Sequence, residues 1–363
     1  MLGKTNTIFV TDTESAPIQL VQETILTVST ADIEKIEYIN DYYFVFLSDE
    51  KVLCGKEINS LSILKNGEEI LYASHVVYAD NKYYFARSNK KAVVYASENL
   101  SDFNTVAIKD KYSMVGLYKS TADKIVVLAY GSDLLHMLIT DTLEGYLEAE
   151  GQFIEIKVSS YFSPELSFFR NSRMIKDRII MREQTGNSNT AGTVVISMDG
   201  TKVVADSSYN FYAHGFFYSY STLNNAISIY YSVNGVNYSL LGSIGTAKSP
   251  CIMEFEDGVI GLFYKSGSTY KFTVAESPSK IISAMDNAVE VNIIGNILTG
   301  MENAGHTYIG CTGGVILKTY ADYSGNGNAP DVALLKTLSA KQALAESKKY
   351  TDERFAALEA RVA

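Results

Sequence analysis

The sequence has no tryptophan, three cysteines, five prolines and no long apolar run. Cys54, Cys251 and Cys311 are isolated and odd in number, which excludes a disulfide framework and a cysteine-rich zinc site. We expect three buried thiols in a chain assembled in a reducing cytosol. No stretch approaches the roughly 18 apolar residues of a membrane-spanning helix, so we expect no membrane insertion. The N-terminus MLGKTNTIFVTDTE lacks an apolar segment, so we also expect no secretory signal peptide.

The sequence also has fewer positive than negative side chains, with 31 Lys and Arg against 41 Asp and Glu, which gives a net charge of −10. This balance argues against a nucleic-acid partner and against docking on an anionic membrane. Hydrophobic residues make up 47% of the chain, which is enough for a full-sized core. The aromatic residues are 26 Tyr and 16 Phe, types that favour β-strands. The composition predicts a folded, acidic, β-rich protein.

A recurring unit runs along the chain, in which a polar turn is followed at once by a strand of aliphatic and aromatic residues. The residues that anchor the seven turns are Asp41, Asn81, Asp123, Asp177, Asn225, Gly258 and Gly305. Their mean interval of about 44 residues is typical of β-propellers, because a single four-stranded blade cannot bury both its faces alone. The predicted fold class is an all-β propeller of about seven blades, with six or eight as alternatives. A tandem of two β-sandwiches is the rival fold, although it needs no such period.

Three predicted regions divide the chain. Residues 1–322 form the propeller, residues 323–331 (YSGNGNAPD) form a linker, and residues 332–363 form a C-terminal helix. The last propeller unit is one strand short. The strand-like segment Thr5–Asp12 is predicted to supply the missing outer strand and so to close the ring.

Three hairpins share a second pattern, in which a strand ends in Ser and an Asn- or Asp-bearing turn follows. They are Tyr95–Val106, Val195–Val204 and Ile229–Gly242. The dipeptides at Asp199 and Asn234, each followed by Gly, are strong hairpin signals. These hairpins resemble the Asp-box hairpins of sialidase-like propellers, with Tyr238 or Phe103 in place of the usual Trp. The resemblance implies a structural role for the turns.

Signals for catalysis are sparse. His75, His136, His214 and His306 fall in different repeats without a second ligand at metal spacing, so we expect structural or surface histidines, no metal and no cofactor. A sialidase-like site needs arginines from separate blades. Apart from Arg87, the arginines of the predicted propeller lie in one short segment, at Arg170, Arg173, Arg178 and Arg182. No sequence motif singles out a pair of carboxylates for glycoside hydrolysis. We expect no catalytic residues, and a glycan-processing enzyme is the alternative.

An aromatic segment, Ser207–Ser221, reads SSYNFYAHGFFYSYS. Its aromatics partly alternate with small residues, which places one set on the core side of a strand and the other set outward. The first interpretation is a strand that packs blade on blade. The second is an exposed patch for receptor recognition, with Tyr218 and Tyr220 as the contacts.

The C-terminal segment has neither Gly nor Pro from Val332 to Ala363 and is dominated by helix formers. Its narrow apolar stripe has the spacing of a short parallel coiled coil. The residues predicted to form the oligomer contact are Leu344, Thr351, Phe355, Leu358 and Val362. A helix folded back on its own propeller is the alternative. The pattern alone leaves the number of strands open.

The stretch AKQALAESKKYTDERFAALEARVA resembles helical segments of bacteriophage tail-fibre and baseplate proteins and of phage-tail-like bacteriocins. In those proteins such segments link trimeric modules. The resemblance implies a trimer in a virion tail or tail-like particle, made in the host cytoplasm, with other tail proteins and a bacterial surface protein or glycan as partners. An intracellular scaffold propeller is a further alternative.

Overall fold

The structure, a computed structural model, describes residues 19–89, 91–106, 112–143, 153–158, 169–184, 191–223, 226–245 and 247–322. These residues form seven antiparallel four-stranded sheets and one two-stranded hairpin. The strands of six sheets follow outward from the ring axis in chain order, and in the seventh sheet the strand nearest the N-terminus takes the outer edge. The protein is therefore an all-β propeller with seven blades, as predicted, and the tandem β-sandwich is excluded.

The strands of the first four blades are given from the axis outward. Blade 1 consists of β2 (Ile33–Ile39), β3 (Tyr42–Leu47), β4 (Val52–Gly55) and β5 (Ser62–Ile63), and is followed by the hairpin of β6 (Lys65–Asn66) and β7 (Glu69–Ile70). Blade 2 consists of β8 (His75–Ala79), β9 (Lys82–Asn89), β10 (Lys91–Ser97) and β11 (Asn104–Val106). Blade 3 consists of β12 (Met114–Lys119), β13 (Ile125–Gly131), β14 (Leu134–Thr140) and β15 (Ile154–Lys157). Blade 4 consists of β16 (Arg173–Ile175), β17 (Arg178–Gln184), β18 (Ala191–Ser197) and β19 (Lys202–Val204).

The remaining three blades complete the ring. Blade 5 consists of β20 (Phe211–Ala213), β21 (Phe216–Leu223), β22 (Ala226–Ser232) and β23 (Ser239–Gly245). Blade 6 consists of β24 (Ala247–Phe255), β25 (Val259–Ser266), β26 (Thr269–Ala275) and β27 (Val289–Val291). Blade 7 consists of β28 (Ile297–Asn303), β29 (His306–Cys311), β30 (Val315–Asp322) and β1 (Gln19–Thr27). The short helix α1 (Ile281–Ala284) lies between β26 and β27, and no described helix has the length and hydrophobicity of a membrane span.

The predicted anchors fall on the turn between the first and second strands in six of the seven blades. Asp41, for example, follows β2 with a φ of 66°, and Asp177 follows β16 with a φ of 56°, left-handed values that Asn, Asp and Gly tolerate best. The anchor at Asn225 lies outside the described residues, and the equivalent turn of blade 5 is His214–Gly215, between β20 and β21. That turn lacks Asn and Asp, and Gly215 supplies the left-handed backbone with a φ of 89°.

An apolar cluster fills each of the seven interfaces between neighbouring blades. Every residue of β13 is buried, because the second strand of a blade is covered on both faces. The smallest cluster among the described residues joins blades 4 and 5 and contains Ile180, Val195 and Phe217. Each blade therefore depends on both its neighbours for burial, as in other closed repeat proteins.

Polar contacts bridge all seven interfaces near the turns that follow the inner strands. In order around the ring, the pairs are Asn40 with Tyr83, Lys119 with Tyr78, Thr121 with Asp177, Lys176 with Gly215, His214 with Val259, Thr307 with Glu254 and Tyr43 with Tyr308. These bonds fix neighbouring blades in register along their inner edges.

The N-terminal strand closes the ring. β1 pairs antiparallel with β30, from Gln19 opposite Asp322 to Thr27 opposite Val315, and forms the outer edge of blade 7. The place predicted for Thr5–Asp12 is thus taken by Gln19–Thr27, and residues 5–12 lie outside the described residues. Glu23 sits at a bulge in β1 and contacts Lys318 at 2.7 Å and His306 at 3.2 Å. The first and last segments of the propeller are therefore held together by main-chain and side-chain bonds.

The three Asp-box-like hairpins join the third and fourth strands of blades 2, 4 and 5. In blade 5 the side-chain oxygen of Asn234 accepts hydrogen bonds from the backbone N–H groups of Val236 (2.9 Å) and Asn237 (3.1 Å). Asn99 accepts the equivalent bonds in blade 2. Phe103 is buried and Tyr238 half-buried, so each takes a packing position. The turns have the structural role that the resemblance implies.

Candidate functional site: the central channel

The inner strands of blades 1 to 5 line a cavity of about 540 Å³ on the ring axis. Side chains two residues apart on a strand point to the same face, so Lys35 and Glu37 of β2 both face this cavity. The exposed residues Lys119 and Lys176, next to the turns after β12 and β16, lie at its mouth. The cavity therefore opens on the side of the ring that carries these turns.

Arg170 fills the opposite end of the channel. It precedes β16 of blade 4, yet it pairs with the carboxylate of Glu34 in blade 1 and donates to the carbonyl of Ser48 at 2.9 Å. About 10 Å³ of space remains beside it, which is no more than one water molecule occupies. Among the described residues, the channel is thus wide on the side of the turns and narrow at Arg170.

Lys35 lies in the wall of the channel and is almost fully buried. Its ammonium lies 3.1 Å from the Glu37 carboxylate, donates to the carbonyl of Ser74 at 3.0 Å and sits 4.2 Å from the centre of the Phe46 ring. Burial lowers the pKa of Lys35 from its ordinary value, against the opposing pull of Glu37. The second oxygen of Glu37 is buried without a hydrogen bond to a described residue. Lys35 and Glu37 therefore form an ion pair in the channel wall, in which one carboxylate oxygen of Glu37 has no hydrogen bond to a described residue.

His75 connects three blades in the same wall. Its Nε2 lies 3.3 Å from both the carbonyl and the hydroxyl oxygen of Ser172. Its Nδ1 lies 3.0 Å from the Ser74 hydroxyl, and the Tyr118 hydroxyl lies 2.6 Å from the Ser172 hydroxyl. Burial lowers the pKa of His75 well below its ordinary value, and the nearby charge of Lys35 acts in the same direction. His75 is a neutral, hydrogen-bonded residue, as expected of a structural histidine.

Arg173 begins β16, lines the cavity and is half-buried. Burial raises the pKa of Tyr209, and the positive charge of Arg173 opposes this increase. The same charge contributes to the lowered pKa values of Lys35 and His75, after burial. Arg170 and Arg173 thus both reach the axis, contrary to the inference that one short segment cannot serve a central site. They do so because this segment leads into an inner strand.

The predicted receptor contacts lie away from the channel, on the second strand of blade 5. Tyr218 is fully buried, so it belongs to the core, in agreement with the packing interpretation of its segment. Tyr220 is half-buried and stacks on Phe211, with ring centroids 6.1 Å apart and planes inclined by 14°. Recognition by Tyr220 stays a prediction. The predicted linker and C-terminal helix, with its five oligomerisation residues Leu344, Thr351, Phe355, Leu358 and Val362, lie outside the described residues.

The other candidate reactive groups, three cysteines and two histidines, are buried or hydrogen-bonded within the fold. Burial raises the pKa values of Cys54, Cys251 and Cys311 to about 12, so these free thiols are poor nucleophiles. His136 bonds the carbonyl of Gly131 at 3.1 Å, and His214 bonds that of Val259 at 2.8 Å. Among the described residues, no three His, Cys, Asp or Glu side chains gather as a metal site.

The sequence analysis missed Lys35 and Arg173 as channel residues. The available signal was their position on the strand that comes just before an anchor turn, with Lys35 six residues before Asp41 and Arg173 four before Asp177. That strand is the innermost of each blade in a propeller. Charged residues on it are therefore candidates for the axis.

No protein-family model matches the chain, and no curated protein matches it. Solved structures that resemble it include a catalytically inactive virginiamycin B lyase from Staphylococcus aureus with quinupristin (TM-score 0.47, 10% identity, covering 84% of this chain and 99% of that chain). Others are the WD40 β-propeller domain of Doa1 (0.46, 11%, 85% and 98%) and BamB from Moraxella catarrhalis (0.46, 10%, 83% and 97%). The protein belongs to the β-propeller class by its own seven sheets.

Proposed function

We propose that the protein is an adhesive component of a phage tail or phage-tail-like bacteriocin, in a fibre or baseplate. The propeller binds a receptor on the bacterial surface, and the C-terminal helix joins three copies. The protein acts by binding without catalysis. Its other partners are neighbouring tail or baseplate proteins.

The observation that carries the proposal is the axial cavity, which is lined by charged and aromatic side chains. A cavity of about 540 Å³ lies in the range of small-molecule and oligosaccharide sites. Lys35, Arg173 and Tyr209 converge there from three different blades. Such a site binds a ligand through preformed groups on rigid strands, with little ordering cost.

Trimeric display makes a weak site effective. Three propellers on one stalk turn the second and third contacts into intramolecular events, so the avidity exceeds the affinity of one propeller. The support for the stalk is the resemblance of residues 340–363 to tail-protein helices.

Binding of the purified full chain to a panel of bacterial cells and surface extracts tests this function. We expect the full chain to sediment with the cells that carry its receptor, and a version that ends at Tyr323 to bind much more weakly. Absence of binding across tail-bearing strains and their hosts would count against the adhesive role.

The mass of the two versions in solution tests the oligomer separately. We expect a trimer for the full chain and a monomer for the version that ends at Tyr323. If both versions are monomers, the stalk is wrong, and the cell-binding result then applies to a single propeller.

A glycan-processing enzyme is the second candidate, favoured by the meeting of Glu37, Arg173 and Tyr209 in one cavity. Glycoside hydrolysis uses two carboxylates. Among the described residues that line the cavity, Glu37 is the carboxylate, and it is held by Lys35. We expect no release of chromophore from a panel of aryl glycosides. Turnover that is lost in Glu37→Gln would support the enzyme instead.

A further inference from the structure

Arg173 differs from the other charged side chains of the axial cavity. Lys35 is paired with Glu37, Lys119 lies 2.7 Å from Asp123, and Lys176 donates to a backbone carbonyl at 2.7 Å. The guanidinium of Arg173 forms neither an ion pair nor a hydrogen bond with a described residue.

A half-buried cation without a counter-ion is costly, because burial removes water and, among the described residues, none replaces the lost interaction. In this cavity the cost is higher, since Lys35 lies near enough for its pKa to be lowered by Arg173. Such a residue is expected to have a partner that arrives from solution.

Tyr209 supplies a neutral donor, on which the charge of Arg173 acts. It lines the same cavity just before β20, and its hydroxyl makes no hydrogen bond with a described residue. A guanidinium and a phenol O–H can bind one oxyanion together. The guanidinium donates two parallel N–H groups to the oxyanion, and the phenol donates to an oxygen lone pair that these leave unoccupied.

We propose that Arg173 and Tyr209 seat an oxyanion of an acidic surface polysaccharide, either the carboxylate of a uronic acid or the phosphate of a polyol-phosphate polymer. This inference rests on the proposed adhesive function and names the chemical class of its receptor. The planar guanidinium binds both oxyanions in bidentate fashion. The acidic body of the protein, with a net charge of −10, repels such polymers elsewhere, so the cavity is the place where they bind.

Titration of the full chain with small probes at low ionic strength tests the site. The probes are glucuronate and glycerol 3-phosphate, with glucose and glycerol as neutral controls. We expect one or both anions to bind at least tenfold more tightly than the neutral probes, and added salt to weaken binding. The anion that binds more tightly identifies the polymer. If neither anion binds more tightly than its neutral control, the proposal is overturned.

Two substitutions on blade 4 separate a binding role from a structural one. Arg173→Gln removes the unpaired charge, and Arg182→Gln removes an exposed arginine of the neighbouring strand as a matched control. We expect R173Q to weaken anion binding at least tenfold and to unfold at the same temperature as the wild type or a higher one. R182Q is expected to bind as the wild type does. Wild-type affinity in R173Q, or a loss of folding stability in it, would overturn the assignment.

The same variants in the cell-binding assay distinguish this inference from the proposed function. If the full chain and R173Q bind cells equally well, the adhesive role stands and the oxyanion site falls. If the full chain binds glucuronate or glycerol 3-phosphate through Arg173 but binds no cells, the site stands and the adhesive role falls.

Discussion

The hydroxyl of Tyr43, in the first blade, lies 2.9 Å from the hydroxyl of Tyr308, in the seventh. The side-chain N–H of Asn303 donates to the Tyr43 oxygen at 2.9 Å, so the Tyr43 O–H is free to donate to Tyr308. These residues meet where the first and last blades join. The bond therefore belongs to the closure of the ring, together with the outer strand β1.

Replacing Tyr308 with Phe tests the closing interface. The variant leaves the buried Tyr43 O–H without its acceptor, which costs about 1–2 kcal/mol of unfolding free energy. Tyr320→Phe is the matched control on the same blade, since the Tyr320 hydroxyl has no hydrogen bond with a described residue. Denaturant unfolding measures both. Equal losses in the two variants would contradict the role of the Tyr43–Tyr308 bond.

Removing the closing strand is a stronger change. A version without residues 1–27 loses β1 and exposes the edge of β30, so we expect it to aggregate or to melt far below the full chain. A version without residues 1–18 keeps every described strand and is expected to melt with the full chain. Thermal unfolding followed by circular dichroism compares the two. A propeller that tolerates the loss of residues 19–27 would show that β1 does not close it.

His75 predicts a pH dependence of stability. Its pKa is lowered in the folded protein, so as pH falls below the ordinary value of about 6.5 the unfolded chain gains a proton that the folded chain does not. The unfolding free energy therefore decreases with falling pH in that range. His75→Gln removes this proton but keeps an amide donor for the Ser172 carbonyl.

Urea unfolding of both proteins at pH 7.5 and at pH 5.5 measures the effect. We expect the loss of stability on acidification to be smaller in H75Q by about 1 kcal/mol, within the limit of ~1.4 kcal/mol per pH unit for one group. Identical losses would mean that His75 is protonated in the folded protein as readily as in the unfolded chain.

The Asp-box-like turn of blade 5 gives a local test. Asn234→Ala removes the acceptor of two backbone N–H groups, and we expect it to cost about 1–2 kcal/mol of unfolding free energy. Asn237→Ala, on the exposed side of the same turn, is expected to be within about 0.5 kcal/mol of the wild type. If Asn237 matters as much as Asn234, the turn is not held in the way described.

The fold could be predicted from the sequence because its signal is local. Asp41, Asn81 and Asp177 mark tight turns whose left-handed backbone restricts the residue type, and such turns recur once per blade. The turn pattern did not single out the inner turn of blade 5, where His214–Gly215 meets the same requirement with another residue pair. It also placed the closing strand too early, since several N-terminal segments alternate in a strand-like manner.

The site could not be predicted in the same way, because it depends on ring closure. Lys35, His75 and Arg173 are distant in sequence and meet because the inner strands of their blades share one axis. Tyr218 shows the converse. The second interpretation of its segment made it an exposed receptor contact, but packing against blade 6 buries it completely.

We propose that the propeller binds its ligand in the axial cavity. A crystal structure of the full chain with saturating glucuronate or glycerol 3-phosphate tests it most directly. We expect ligand density in the cavity, with its oxyanion against the guanidinium of Arg173 and the hydroxyl of Tyr209. An empty cavity with the ligand bound on the outer surface would contradict binding at the axis.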